Sequence, residues 1–171
     1  MNKLRITTKR FIGICLGLII LDLVLKFIVN KTYEQGQYNQ ILGGLFTVGN
    51  IKTLSMAMVF DISHKLTIAI KILFQILIFI LFFRVQGLEI KNLYKISVSL
   101  IIFGWIGNYL DKFILMSGDS NYQHLDYFRI IGFRPFMNIS TLMVSVGWIL
   151  LLIAIVIGFK DLKLIFGKGK Q

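Results

Sequence analysis

The sequence predicts an all-α membrane protein with four transmembrane helices and small extramembrane elements on the outer face. Three observations predict it. Of the 171 residues, 56% are hydrophobic and 16% charged, and the mean hydropathy is +0.77, whereas a soluble domain carries about a quarter charged residues. The apolar residues gather into runs near the ~20 residues a helix needs to cross ~30 Å of hydrocarbon. The basic residues behind the net charge of +11 sit at the ends of those runs. They read as topology signals rather than as a footprint for nucleic acid, and no nucleic-acid partner is expected.

The spans are expected at residues 11–29, 66–85, 93–116 and 141–159, in one domain covering 1–171. The first has a basic start like that of a signal peptide, but its apolar run is long and no small-residue cleavage site follows, so it reads as an uncleaved span. With the N-terminus inside, the inner side holds eleven Lys and Arg and the outer loops six, which places both termini in the cytoplasm. The short inner loop pairs the second and third spans as antiparallel neighbours. The outer loops, roughly 30–65 and 117–140, leave room for shape and function. Within the first of them, "GGLFTVGN" and "LSMAMVF" could form short strands or interfacial segments. The single cysteine, Cys15, excludes an intramolecular disulfide and suits packing. His64 and His124 are too few and too far apart for a metal site, and each reads as a surface histidine; neither a metal nor a cofactor is expected.

The polar residues inside the spans carry the functional signal. Asp22 and Lys26 share a helix face, as do Lys71 and Gln75; Asn108, Asp111 and Lys112 gather at the outer end of the third span; Ser140 and Thr141 open the fourth. A charge at the bilayer centre costs at least ~2.5–3.5 kcal/mol even on the lenient insertion scale. All four groups lie at one depth, toward the outer leaflet, while inner stretches such as "ILIFILFF" and "ILLLIAIVI" are almost purely apolar. That asymmetry predicts a polar cleft opening outward rather than a through-going pore. The blander alternative is lysines snorkelling beside their own carboxylates, with Ser140 or Thr141 capping the last helix.

Four stretches, in order, resemble the lipoprotein signal peptidases (signal peptidase II) over nearly the whole chain. "LDLVLKF" has that family's Asp-x-x-x-Lys spacing at Asp22 and Lys26. "FGWIGNYLDKF" is similar to its glycine-rich box, with Gly104, Gly107, Asn108 and Asp111 in place and Lys112 where arginine is usual. "HLDYF" aligns Asp126 with the first catalytic aspartate. "FRPFMNIST", containing Arg134, resembles the entry to the last helix, and Asn138 matches its asparagine. Asn50 matches the asparagine of an outer-loop motif whose remaining residues differ here. Three residues after Asn138, where the family has its second catalytic aspartate, this chain has Thr141.

The resemblance implies a bacterial inner-membrane protein whose partners are the lipid bilayer and a signal helix or lipid-modified prolipoprotein. Asp126 is the catalytic-position carboxylate, and Asp22, Lys26, Asn50, Asn108, Asp111, Lys112, Arg134 and Asn138 shape the cleft. A carboxylate pair hydrolyses a peptide by sharing one proton: the ionised member takes a proton from water and the other donates to the carbonyl. Threonine cannot cycle a proton at neutral pH, so peptidase activity is expected to be impaired or absent. Two alternatives stand beside this: an active aspartic endopeptidase using Asp111 or Asp119 as its second acid, and a structural subunit held by membrane-complex partners.

Overall fold

The computed structural model describes residues 6–54, 64–88, 92–115, 122–133, 135–159 and 165. Among the described residues four helices are formed: α1 (Ile6–Thr32), α2 (His64–Gly87), α3 (Asn92–Leu115) and α4 (Ile139–Ile157). Three strands, β1 (Tyr38–Ile41), β2 (Phe46–Leu54) and β3 (Tyr122–Ile130), form one antiparallel sheet in the order β1-β2-β3. The protein is therefore mostly helical rather than all-α. The expected strand at "GGLFTVGN" exists in part, as the start of β2; "LSMAMVF" lies outside the described residues after Leu54, as do Asp119 and Arg134. The segment around Asp126 pairs along β2 as a strand, which the helical expectation did not include.

Among the described residues, three helices are long and apolar enough to cross a membrane, at Arg10–Thr32, Asn92–Asp111 and Ile139–Ile157; the apolar stretch described for α2, Ile72–Gln86, is shorter. The expected second span at 66–85 thus holds only in part. The apolar side chains of α1 and α4 that point outward, such as Ile20, Phe27, Leu152 and Val156, are exposed, as suits helices solvated by lipid rather than water.

The helix core is drawn tight by small residues, since lipid gives helices little hydrophobic reason to associate and close backbone approach must supply the contact. A Cβ on Gly104 of α3 would meet the Ser140 carbonyl oxygen of α4 at 2.6 Å and Val144 Cγ2 at 2.7 Å. A Cβ on Gly147 would meet the Ser97 carbonyl oxygen at 2.9 Å. Around that second contact Val98, Ile101, Leu151 and Ala154 are buried together with Ile78 and Val85 of α2.

The sheet sits at the other end. A turn at Leu42–Gly44 joins β1 to β2, with Leu42, Gly43 and Gly44 all at positive φ (52°, 65° and 90°), a run of backbone that glycine alone adopts cheaply. The β2–β3 register shifts between Val48 and Ile51. On the far edge of β3, Met137 bridges to Phe128 with bonds of 2.7 and 3.0 Å, which docks the segment leading into α4 against the strand.

Candidate functional site

The site forms where the C-terminal ends of α1 and α3 meet the N-terminus of α4 and β3. Its floor is an ion cluster. Lys26 Nζ lies 2.8 Å from Asp22 Oδ2 and 3.1 Å from Asp111 Oδ2, and all three side chains are fully buried. Lys26 also donates to Asn108 Oδ1 at 3.2 Å. The i,i+4 pair expected within α1 is present, but Asp111 takes Lys26 as its partner across two helices. Ions out of water are stabilised by pairing and hydrogen bonding; Asp22 is supplied at both oxygens, while Asp111 Oδ1 is buried without a hydrogen-bond partner among the described residues. Asp111 Oδ2 accepts from the Leu125 backbone N–H at 2.8 Å.

Asp22 ties α1 to the start of α4. Its Oδ1 accepts from Ile139 N–H at 2.9 Å and from the Tyr127 hydroxyl at 3.1 Å, and its Oδ2 accepts from the Ser140 hydroxyl at 2.6 Å. A carboxylate placed against the first-turn N–H groups of a helix satisfies orphan donors and meets the positive end of the helix dipole. Burial, and then the Asp22 charge, push the Tyr127 phenol well above its ordinary range, so Tyr127 remains a protonated donor to Asp22.

Above this floor Asn138 joins the two positions that the resemblance pairs. Its Oδ1 accepts from Thr141 N–H at 2.6 Å, which makes Asn138 the N-cap of α4. The expectation that Ser140 or Thr141 would cap is corrected: both lie inside the helix, and Ser140 turns to Asp22 instead. The Nδ2 of Asn138 donates to Asp126 Oδ1 at 2.8 Å and to the Leu125 carbonyl at 2.9 Å. The Thr141 hydroxyl accepts from Asn108 Nδ2 at 3.3 Å. Thus Asp22, Lys26, Asn108, Asp111, Asp126, Asn138 and Thr141 form one connected network.

Two expected members lie elsewhere. Asn50, 2% exposed, donates to Asn30 Oδ1 at 3.2 Å and to the Tyr33 carbonyl at 3.0 Å. It lines an open pocket of about 460 Å³ with Lys31, Glu34 and Lys52. Gln75 of α2 donates to the Tyr109 hydroxyl of α3, so it joins its neighbouring helix and not the cluster. Lys112 lies on α3, while its side chain and the whole of Arg134 fall outside the described residues.

Sequence reasoning missed His124 and Tyr127. His124 is no remote surface histidine: its Nε2 stands 3.5 Å from Asp126 Oδ2, with the side chain 17% exposed. The H-x-D spacing would have shown this had the segment been read as a strand, where i and i+2 share a face. Among the described residues no three of His, Cys, Asp and Glu converge as metal ligands.

The signal peptidase (SPase) II family model matches residues 14–157, most of the chain. The chain belongs to that family. It is also similar to a lipoprotein signal peptidase of Borreliella afzelii (strain PKo), 26% identical over 145 residues, covering 81% of this chain and 84% of that protein. Two solved bacterial membrane enzyme structures share the fold. One has a TM-score of 0.67 at 22% identity, covering 86% of this chain and 93% of its own; the other has 0.61 at 19%, covering 95% of both. Signal peptidase II proteins belong to the bacterial inner membrane and act on lipoprotein precursors, and the outward-facing apolar helices of this chain fit that setting.

Proposed function

We propose that this signal-peptidase-II-family protein binds the signal helix of a lipid-modified prolipoprotein over the Asp126–Asn138–Thr141 network and hydrolyses it far more slowly than a two-carboxylate site would. The protein then has four spans in a single domain with both termini cytoplasmic, and the network faces the outer side of the membrane. One observation carries the reading: the residue at the family's second-acid position, whose backbone N–H Asn138 accepts and whose side chain Asn108 contacts beside the Asp126 network, is the hydroxyl-bearing Thr141. The family membership and the curated relative's name supply the substrate class.

Asp126 can take a proton from water, but Thr141 has none to give at neutral pH. General acid–base assistance contributes typically ~10²–10⁴ in rate. Asp111 is a poor substitute acid, because its Oδ2 is already engaged by Lys26 and by the Leu125 N–H. The cleft itself needs no second acid to accept a ligand, since the ion cluster and the Asn138 cap shape it independently of Thr141's chemistry.

The test measures binding and cleavage of a purified, diacylglyceryl-modified prolipoprotein. The native protein and Thr141→Asp are expected to bind alike, while Thr141→Asp cleaves about 10²–10⁴ times faster. Equal cleavage rates would show that the second acid is supplied from elsewhere, and failure of both to bind would remove the substrate assignment.

A further inference from the structure

We infer that His124 replaces the missing acid as proton donor, forming with Asp126 a mixed imidazole–carboxylate pair that carries the slow hydrolysis of the bound prolipoprotein. The inference rests on the reading that the lipid-modified signal helix binds at this site. Its starting point is the geometry of β3. Alternation along the strand puts His124 and Asp126 on one face and Leu125 and Tyr127 on the other. The latter two are buried against Val29 of α1, which fixes the strand and so the aim of the pair.

The two oxygens of Asp126 are placed for different tasks. Oδ1 receives the Asn138 amide at 2.8 Å, which holds the carboxylate in one orientation. Oδ2 faces His124 Nε2 at 3.5 Å, slightly beyond hydrogen-bond length, a common spacing for partners that tighten when substrate arrives. Asp126 is nearly buried and His124 is the more exposed of the two, so the imidazole is the member that a ligand entering from the outer side meets. Histidine exchanges a proton near neutral pH, which threonine does not.

The chemistry closes without a further reactant. Water attacks the scissile carbonyl carbon; its O–H bond breaks and the proton goes to the Asp126 carboxylate. The carbonyl oxygen takes the Nε2 proton of the His124 imidazolium, giving an uncharged gem-diol. Asp126 then passes its proton to the leaving nitrogen as the C–N bond breaks, and one gem-diol hydroxyl returns a proton to His124. The products are a carboxylic acid and an amine, and both side chains end as they began.

The experiment follows single turnover of a diacylglyceryl-modified prolipoprotein peptide, with its binding measured in parallel by fluorescence anisotropy. The expected result is slow cleavage by the native protein and a loss of tenfold or more in His124→Gly, in His124→Gln and in Asp126→Asn, each still binding peptide. Added imidazole should restore His124→Gly and leave Asp126→Asn inactive, a response that a merely structural histidine would not give. The inference is overturned if the native protein binds but does not cleave, if His124→Gln cleaves at the native rate, or if imidazole restores nothing while binding persists. Loss of binding by the native protein would instead overturn the proposed function, and this inference with it.

Discussion

The two ends of the α3–α4 contact are built from opposite materials. Toward Gly147 the helices touch through Ser97, Ile101 and Leu151, with backbone close enough that no Cβ fits. Toward Gly107 the same pair closes around a buried lysine, two aspartates and two asparagines. Both ends exclude water, yet their stability has different origins. The first depends on shape, where many small dispersion contacts add up. The second depends on every charge having its partner, because an uncompensated ion in a low-dielectric interior costs several kcal/mol. The contrast shows where function can be placed in so small a bundle: the packed end sets the spacing that lets the polar end remain charged and dry.

Removing one member of the ion cluster is expected to have the largest effect. Lys26→Met leaves Asp22 and Asp111 facing each other without a cation, and should cost about 3–5 kcal/mol, read as a lowered unfolding midpoint in detergent. A midpoint close to native would mean that the two carboxylates can stay together without Lys26. Gly104→Leu attacks the packed side of the comparison where it meets the polar side, since its Cβ would strike the Ser140 carbonyl oxygen. Overpacking of this kind costs about 1–3 kcal/mol, and here it should also weaken peptide binding by pushing the start of α4 away from Asp22. A stability loss with unchanged binding would show that the two ends are mechanically separate.

Asn138→Ala removes the cap of α4 and the amide that orients Asp126. Caps contribute about 1 kcal/mol, so the unfolding midpoint should fall modestly while cleavage falls further. The smallest effect is expected at Val156→Leu, on the exposed face of α4: stability should change by no more than about 0.5 kcal/mol. A larger loss there would reveal an unexpected contact on that face.

Much of the helical layout was legible because a bilayer imposes a length, and the runs of α1, α3 and α4 meet it. The i,i+4 rule located the Asp22–Lys26 pair, since both partners lie on one helix. It could not choose between Lys112 and Lys26 for Asp111, because that depends on how α3 is rotated against α1. The cap was misplaced for a similar reason: Asn138, Ser140 and Thr141 are all competent caps, and the Met137–Phe128 bridge decides which of them stays outside the helix. The sheet was the main omission. β3 pairs with β2 across nearly seventy residues of intervening chain, and no local pattern in "HLDYF" announces that partner.

The Asp22–Lys26 bridge has a consequence for how the chain is made. Both residues belong to α1, which is made before α3 and α4, and their pairing is complete as soon as that helix has formed. The stretch between Arg10 and Lys31 can therefore enter the bilayer with its internal charges balanced, long before Asp111 has been synthesised. Asp22 still has lone pairs to offer at that stage, and the groups that fill them, Tyr127, Ile139 N–H and Ser140, arrive more than a hundred residues later. The earlier segment, α1, thus holds the docking point for the later one, α4, and the two can meet only after the chain between them has been made.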